Sequence, residues 1–388
     1  MEQWKEYKIE DICEQIFAGG DAAKYNSSKH QTALYNIPIY ANSTEKEGLY
    51  GYCDKAIVLS PAVTIAARGA GIGFVAFRNK PFVPIVRLIT LITNNSVDTK
   101  FLYYYLKNRR LSGDGSAIPQ ITVPMVKKEV VTIPALEEQK RIADILSSFD
   151  AKIELNRRIN DNLEQQAQAL FKSWFVDFEP FKDGKFVDSE MGMIPEGWKV
   201  VQLGDITIQM KDRVGERSDV KVLSPVSTGE LLLSEEYFTK QVYSEDISKY
   251  ILVKPNMFAY NPARVNIGSI GRNKNNFDGC VSPVYVVFSC EENYHYFFDL
   301  FRMLPSFKEE VALRAIGGVR QTLKYSDLSM IKTIYPPLYI VLEFNKIMEK
   351  LLNIQKMTSM EILNLAEIRD TLLPRLMSGE LKINDLNC

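Results

Sequence analysis

Histidine is nearly absent from this chain: His30 and His295 are the only two in 388 residues. A His-rich metal centre, an HExxH protease and a histidine-based nuclease are therefore excluded, since each needs imidazoles at fixed spacing. Cysteine is also sparse. Cys13, Cys53, Cys280, Cys290 and Cys388 are far apart, odd in number and form no CxxC pair. That disfavours a disulfide scaffold or a thiolate zinc site and fits reduced thiols, so a cytoplasmic location is expected. No run of about 18 apolar residues is present. The charged, amphipathic start MEQWKEYKIEDI lacks the apolar centre of a signal peptide. Neither charge is in excess, with 47 Lys and Arg against 48 Asp and Glu for a net −1. A basic tail and an acidic solvating protein are both ruled out, but a local basic face is not.

What is there is ordinary for a globular protein, 46% apolar and 24% charged. The length suits two or three domains, or one unit built twice. Self-similarity favours the second. Trp4-Lys5 followed by Ile9, Asp11 and Ile12 returns as Trp198-Lys199 followed by Leu203, Asp205 and Ile206. Gln120 with Thr132-Ile133, Pro134 and Leu136 returns as Gln321 with Thr333-Ile334, Pro336 and Leu338. Asn162-Leu163 and Leu170 return as Asn364-Leu365 and Leu372. The three signals keep one order and nearly one offset, so the chain holds two copies of a unit of about 200 residues.

Each copy opens with strand-like runs, such as Val83–Ile92 and Val281–Phe288, broken by Gly, Pro and Asn turns. Each closes with one long helix. In the first copy the seam is Ile142, Leu146, Phe149, Ile153, Asn156, Asn160, Leu163, Ala167, Leu170 and Trp174. In the second it is Ile340, Phe344, Ile347, Leu351, Ile354, Thr358, Glu361, Leu365, Ile368 and Leu372. Both keep the 4-3 spacing of a coiled coil. A helix of roughly 38 residues spans ~57 Å, enough to act as a rigid spacer. The polar middle of each seam either fixes register or lies at the seam's edge.

A doubled head on a spacer is built to touch two related sites at a set distance, as on duplex DNA. Residues 1–135 carry 16 basic and 12 acidic side chains, so the first head is basic, whereas residues 179–336 carry 19 and 21. In that second head Lys211, Arg213 and Arg217 cluster before a loop. Arg264, Arg272 and Lys274 lie in NPARVNIGSIGRNKNN, which has no acid until Asp278. Basic and amide side chains on loops suit phosphate contact and base-edge reading. The same residue types mark Lys24, Lys29, Gln31, Arg68 and Gln120 in the first head, and Arg320 and Gln321 in the second. Arg68-Gly69-Ala70-Gly71-Ile72-Gly73 superficially suggests a cofactor loop. A dinucleotide fingerprint needs a following helix, and Phe74–Arg78 alternates like a strand, so a hairpin turn bearing a DNA-facing Arg68 is predicted.

The strings at the joints resemble a known family. Pro134-Ala135-Leu136-Glu137-Glu138-Gln139-Lys140-Arg141-Ile142 opens the first helix, and Leu170-Phe171-Lys172-Ser173-Trp174-Phe175-Val176-Asp177-Phe178 closes it. Ile194-Pro195-Glu196-Gly197-Trp198 opens the second head, and Arg369-Asp370-Thr371-Leu372-Leu373-Pro374-Arg375-Leu376-Met377-Ser378-Gly379-Glu380-Leu381 closes the second helix. Together they resemble the specificity (S) subunits of type I restriction–modification systems over essentially the whole chain. The second helix departs from the pattern, with Glu343-Phe344 in place of a Glu-Gln pair. The resemblance implies an α+β fold of two similar mixed α/β target recognition domains, each followed by a long helix, the two helices packed as an antiparallel coiled coil. Residues 1–135 and 179–336 would be the recognition domains. Residues 136–178 would be the first spacer helix, and 337–388 the second with a C-terminal tail. It further implies double-stranded DNA as target, with one half-site per domain. Methyltransferase (M) subunits, two of them, and restriction (R) subunits would be the partners. No cofactor would be bound by this chain; S-adenosylmethionine, ATP and Mg would belong to the partners.

The residues themselves carry no catalytic motif. An adenine methyltransferase needs an Asn- or Asp-Pro-Pro-aromatic loop to hold the flipped base. Tyr335-Pro336-Pro337-Leu338 lacks the acceptor, and Asn261-Pro262-Ala263-Arg264 lacks the second Pro and the aromatic. Asp183-Gly184-Lys185 offers only part of a metal-nuclease pattern, in an expected turn. No catalytic residue and no metal ligand is assigned. A self-contained methyltransferase or nuclease, and a coiled-coil scaffold that binds no DNA, stand as the rival functions. The aromatics Trp174, Phe175 and Phe178 are either a docking face for a partner or a hydrophobic joint between helix and head.

Overall fold

The computed structural model describes residues 4–109, 111, 113, 119–238, 240–315 and 322–383. The chain forms two compact units. One comprises Met1–Arg158 with Thr358–Cys388, and the other is Ile159–Met357. Each holds one head and part of both long helices.

In the first unit an antiparallel four-stranded sheet runs in the order Cys13–Ala18, Ile89–Thr93, Ala62–Ile65, Val75–Arg78. A second sheet holds Ser27–Ser28, Leu49–Cys53, Ile37–Tyr40 and Val83–Pro84, the last two strands pairing parallel. Ala62–Ile65 is buried at every position, as expected of a central strand covered on both faces. The helix Thr99–Arg109 packs Phe101, Leu102 and Leu106 into the core, which continues onto Ile142 and Leu146 of one long helix and Leu373 and Leu376 of the other. Lys5–Lys8 pairs antiparallel with Val130–Ile133, tying the start of the head to the residues just before its spacer helix.

The second unit repeats this plan. Its antiparallel sheet runs Thr207–Met210, Val286–Cys290, Phe258–Tyr260, Ile270–Arg272. Its other sheet holds Leu231–Leu233, Lys221–Pro225, Gly279–Val281 and Ile251–Val253, again with one parallel pair, Lys221–Pro225 on Gly279–Val281. Lys199–Gln202 pairs with Lys332–Tyr335 as its counterpart does in the first unit. The core is aromatic, with Phe258, Phe288, Phe297 and Phe298 of the head meeting Phe171, Phe175 and Phe344 of the long helices.

Both long helices, Leu136–Phe175 and Leu338–Met377, have 40 residues. They run antiparallel in each unit. Asp150 pairs with Arg369 and Asn156 with Glu361 in the first, and Phe171 and Phe175 lie against Phe344 in the second. The first helix buries Ile142, Leu146, Ile153, Asn156, Leu163 and Ala167 of its expected seam. The second departs from the expected seam. Ile354 and Ile368 are each 46% exposed, while the neighbouring Gln355 and Arg369 are partly covered, so the buried stripe lies about one residue further on. The helix carries more apolar residues than its neighbours cover: Met360 and Leu363 are 56% and 70% exposed. Apolar periodicity alone therefore did not locate the contact face.

At the middle of the seam Asn156, 1% exposed, donates from Nδ2 to Glu361 Oε2 at 2.8 Å, and Lys152 lies 3.5 Å from the same carboxylate. A buried amide paired with a carboxylate is satisfied only when the helices keep this register. Of the two readings of the polar positions, the inward, register-bearing one applies to Asn156.

Candidate nucleic-acid interface

In the first head, Arg68 to Gly73 forms the turn between the strands Ala62–Ile65 and Val75–Arg78, as the strand-like alternation after the glycines predicted. Gly69 and Gly73 have φ of 81° and 79°, which is where glycine is needed. Asn42 clamps the turn from outside. Its Oδ1 accepts from the backbone N of Ala67 and Arg68, and its Nδ2 donates to the Arg68 carbonyl at 2.7 Å. The backbone N of Ile121 donates to the Ala67 carbonyl at 3.0 Å, which brings half-buried Gln120 beside exposed Arg68. Lys24, Lys29 and Gln31 lie apart from this pair, exposed around the edge strand Ser27–Ser28.

The second head repeats the turn arginine and places its other cations at the opposite edge of its second sheet. Arg264 is exposed in the turn between Phe258–Tyr260 and Ile270–Arg272, at the place of Arg68. Lys211 and Arg213 are exposed in the segment after Thr207–Met210, and Arg213 bridges Ile251 at the rim of the other sheet. Arg217 is a correction. It is half-buried and donates to Asp219 at 2.7 Å and Asp278 at 2.8 Å, so two carboxylates cancel its charge. Arg320 and Gln321 lie outside the described residues.

Arg272 is the second correction. It is 5% exposed, not on the surface. Its Nε donates to Asp299 Oδ2 at 2.9 Å, its Nη1 to Asn256 Oδ1 at 2.6 Å, and its guanidinium lies 4.9 Å from the Tyr296 ring centre. Arg302 completes the cluster, reaching Asp299 Oδ1 at 2.5 Å and the Ile270 carbonyl at 2.9 Å. Burial alone would raise the Asp299 pKa; Arg302 and Arg272 outweigh it and hold the carboxyl at about 2. The acid that neutralises Arg272 sits on the helix His295–Phe301, outside the acid-free stretch that marked it as a contact.

The repeat explains the position. Arg78-Asn79-Lys80 and Arg272-Asn273-Lys274 are the same tripeptide in the two copies. Arg78 is 4% exposed, stacks 3.7 Å from the Tyr40 ring centre and donates to the Glu47 carbonyl at 2.6 Å. Both arginines are internal clamps, and in both copies the lysine that follows, Lys80 or Lys274, is exposed. Lys80 was missed as a surface cation, and the repeated tripeptide was the signal that could have found it.

Residues 1–165 match the family model for the type I restriction modification DNA specificity domain. The chain is 30% identical over 365 residues to the type I restriction enzyme MjaIX specificity subunit of Methanocaldococcus jannaschii, covering 86% of this chain and 81% of that protein. It is 26% identical to the HindI specificity subunit of Haemophilus influenzae over 98% of this chain and 100% of that one. This chain belongs to the type I restriction enzyme specificity subunits. The fold agrees with the crystal structure of a type I restriction–modification S subunit from M. genitalium, with a TM-score of 0.58 and 18% identity over 96% of both chains.

Specificity subunits are the non-catalytic members of their systems, and the strings weighed as catalytic motifs have structural places in this one. Tyr335 stacks on Tyr294 at 4.3 Å, and the Pro336 carbonyl accepts from the Tyr294 hydroxyl at 2.9 Å. The Asp183-Gly184-Lys185 string is a turn, with Gly184 N donating to the Phe181 carbonyl at 2.9 Å. Among the described residues no group of three or more His, Cys, Asp or Glu could hold a metal ion. No helix among them is long and apolar enough to cross a membrane.

The aromatics at the end of the first spacer helix form the joint rather than a docking face. Phe175 is 5% exposed and lies 4.9 Å from Phe344, 5.2 Å from Phe297 and 5.9 Å from Trp198. Phe178, 9% exposed, meets Trp198 edge-on at 5.4 Å. Trp174 is partly covered by Phe344 and Phe181. Clustered aromatics mark a buried centre of either kind, and here the specificity subunit has filled it with its own head.

Proposed function

We propose that this specificity subunit reads a bipartite duplex sequence, one half-site per head. The observation that carries this reading is the repeat in three dimensions. Two heads built on the same antiparallel four-stranded sheet each expose an arginine in the same turn, Arg68 in one and Arg264 in the other, and each exposes further cations beside its other sheet, Lys24 and Lys29 in one and Lys211 and Arg213 in the other. Lysine and arginine on loops above a rigid sheet supply phosphate contacts and base-edge donors, while the sheets hold those loops at a fixed spacing. The uneven charge fits, with a basic first head that needs less help from partners than the second.

The chain acts within a cytoplasmic complex. Two methyltransferase (M) subunits join it to methylate adenine in each half-site, and restriction (R) subunits join it for cleavage. S-adenosylmethionine, ATP and Mg belong to those subunits. The exposed Met360, Leu363 and Ile368 on the second spacer helix favour coverage by a partner, since apolar side chains clustered on one helix surface are costly to leave in water. Mapping N6-methyladenine in cells that carry this chain with its M subunits tests the function. A two-part motif with a fixed gap is the expected result, and a single continuous motif would refute the assignment of one half-site per head.

A further inference from the structure

The first head contains a turn whose backbone is strained and whose side chains point outward. Val86 and Arg87 follow one another with φ of 51° and 63°. Two consecutive non-glycine residues in the left-handed region are rare, and a β-branched one is a true outlier. The backbone is held there by hydrogen bonds. Val86 N donates to the Gly20 carbonyl at 2.8 Å, Arg87 N to the Gly19 carbonyl at 2.9 Å, and Ile85 N to the Tyr40 carbonyl at 2.9 Å. Gly19 permits the approach, because a Cβ there would sit 2.6 Å from the backbone of Pro84 and Ile85.

Nothing in the core requires this conformation of the side chains. Val86 is 53% exposed, and Arg87 is exposed with no carboxylate partner among the described residues. Lys24, four residues after Gly20, shares the corner, since its neighbours Ala22 and Tyr25 pack on the cluster that contains Ile85. The matching turn of the second head, closed by Tyr285 N on the Ser282 carbonyl as the first is by Leu88 N on the Ile85 carbonyl, has a valine at the place of Arg87. Between Gly279–Val281 and Val286–Cys290, Val284 is 72% exposed and Tyr285 follows it. Met210 pairs with Val287, so exposed Lys211 adjoins that turn as well. Both copies thus project an exposed side chain beside a lysine at this turn, Arg87 in one and Val284 in the other.

Resting on the DNA-reading function above, we propose that the Val86-Arg87 turn is a base-reading element of the first head. Arg87 donates to O6 and N7 of a guanine, and Val86 packs on a thymine methyl. Pro283-Val284 is its counterpart, and the change from arginine to valine makes the two half-sites differ. Arginine is matched to the two guanine acceptors in the major groove, and the thymine methyl is the apolar mark there. A turn locked by backbone hydrogen bonds presents both groups with little freedom left to lose on binding.

The test uses the full chain with its methyltransferase subunits and the duplex that the wild-type complex methylates in cells. Affinities are measured for that duplex and for each single-base substitute. Wild type is expected to prefer guanine at one position of one half-site by about 5- to 150-fold. Arg87→Ala should bring that ratio near one while every preference in the other half-site stays. Val86→Gly, which relaxes the strained φ and so keeps the fold, should erase a thymine preference in the same half-site. Ratios unchanged at every position in Arg87→Ala would overturn the assignment. An equal loss of affinity for all sequences would overturn it too, by reducing Arg87 to a phosphate contact. A wild-type complex with no bipartite preference would fail earlier, on the DNA-reading function itself.

Discussion

Truncating Asp299 to alanine should destabilise the second unit by about 3–5 kcal/mol, because it strands two guanidiniums where little water reaches them. The side chains of Asp299, Arg272 and Arg302 are 11%, 5% and 5% exposed. The carboxyl titrates at about 2, below its ordinary 3.8, and that difference corresponds to about 2.5 kcal/mol. Because the folded pKa is depressed, this stabilisation is complete above about pH 4 and is lost as the pH falls toward 2. Alanine costs more than protonation, since it also removes the acceptors of the charge-assisted hydrogen bonds. Trp4 lies in the first unit and Trp174 and Trp198 in the second. In a Trp4→Phe background, urea unfolding followed by tryptophan fluorescence therefore reports the second unit. A loss below about 1 kcal/mol for Asp299→Ala would show that the cluster is solvated and refute the reasoning. Asp299→Leu combined with Arg272→Met and Arg302→Met should recover most of the loss, because an apolar core replaces the ionic one.

Arg264→Ala and Lys274→Ala should leave urea midpoints unchanged and each lower the slope of log affinity against log salt by about 1 if the side chain meets a phosphate; a shifted midpoint would place it in the fold instead. Asn156→Leu with Glu361→Leu should raise the melting temperature while loosening helix register, seen as new cross-links between cysteines placed one heptad apart. Adding seven residues to both spacer helices at facing points lengthens each by about 10 Å, and should widen the gap in the methylated motif by about three base pairs. An unchanged gap would mean that the helices do not set the spacing.

The doubled plan was legible in the sequence because Trp4 and Trp198, and the two Thr-Ile-containing strands ahead of the helices, hold equivalent structural places in both copies. Arg68 was legible too, since glycines followed by alternation describe a hairpin locally. Arg272 was not. Its partner Asp299 stands 27 residues further on, and only the fold brings a helix's carboxylate under a strand's guanidinium. The second seam failed for a related reason: Ile354 and Ile368 fit a heptad but face outward, and a periodic pattern carries no record of which apolar face another surface covers. Backbone strain at Val86 leaves no mark in residue type at all.

The way the long helices are shared also bears on how the protein is made. The second unit is one continuous stretch, Ile159–Met357, and can close as soon as it has emerged. The first cannot. Its core includes Leu373, Leu376 and Met377, and Gly379 lies so close to the Trp4 indole that a Cβ there would come within 3.1 Å of it. At the pace of synthesis, tens of seconds separate the N-terminal strands from the residues that complete their core. The head that is made first is finished last, so its unfilled apolar surface against Ile142 and Leu146 is the part of the nascent chain most in need of a chaperone.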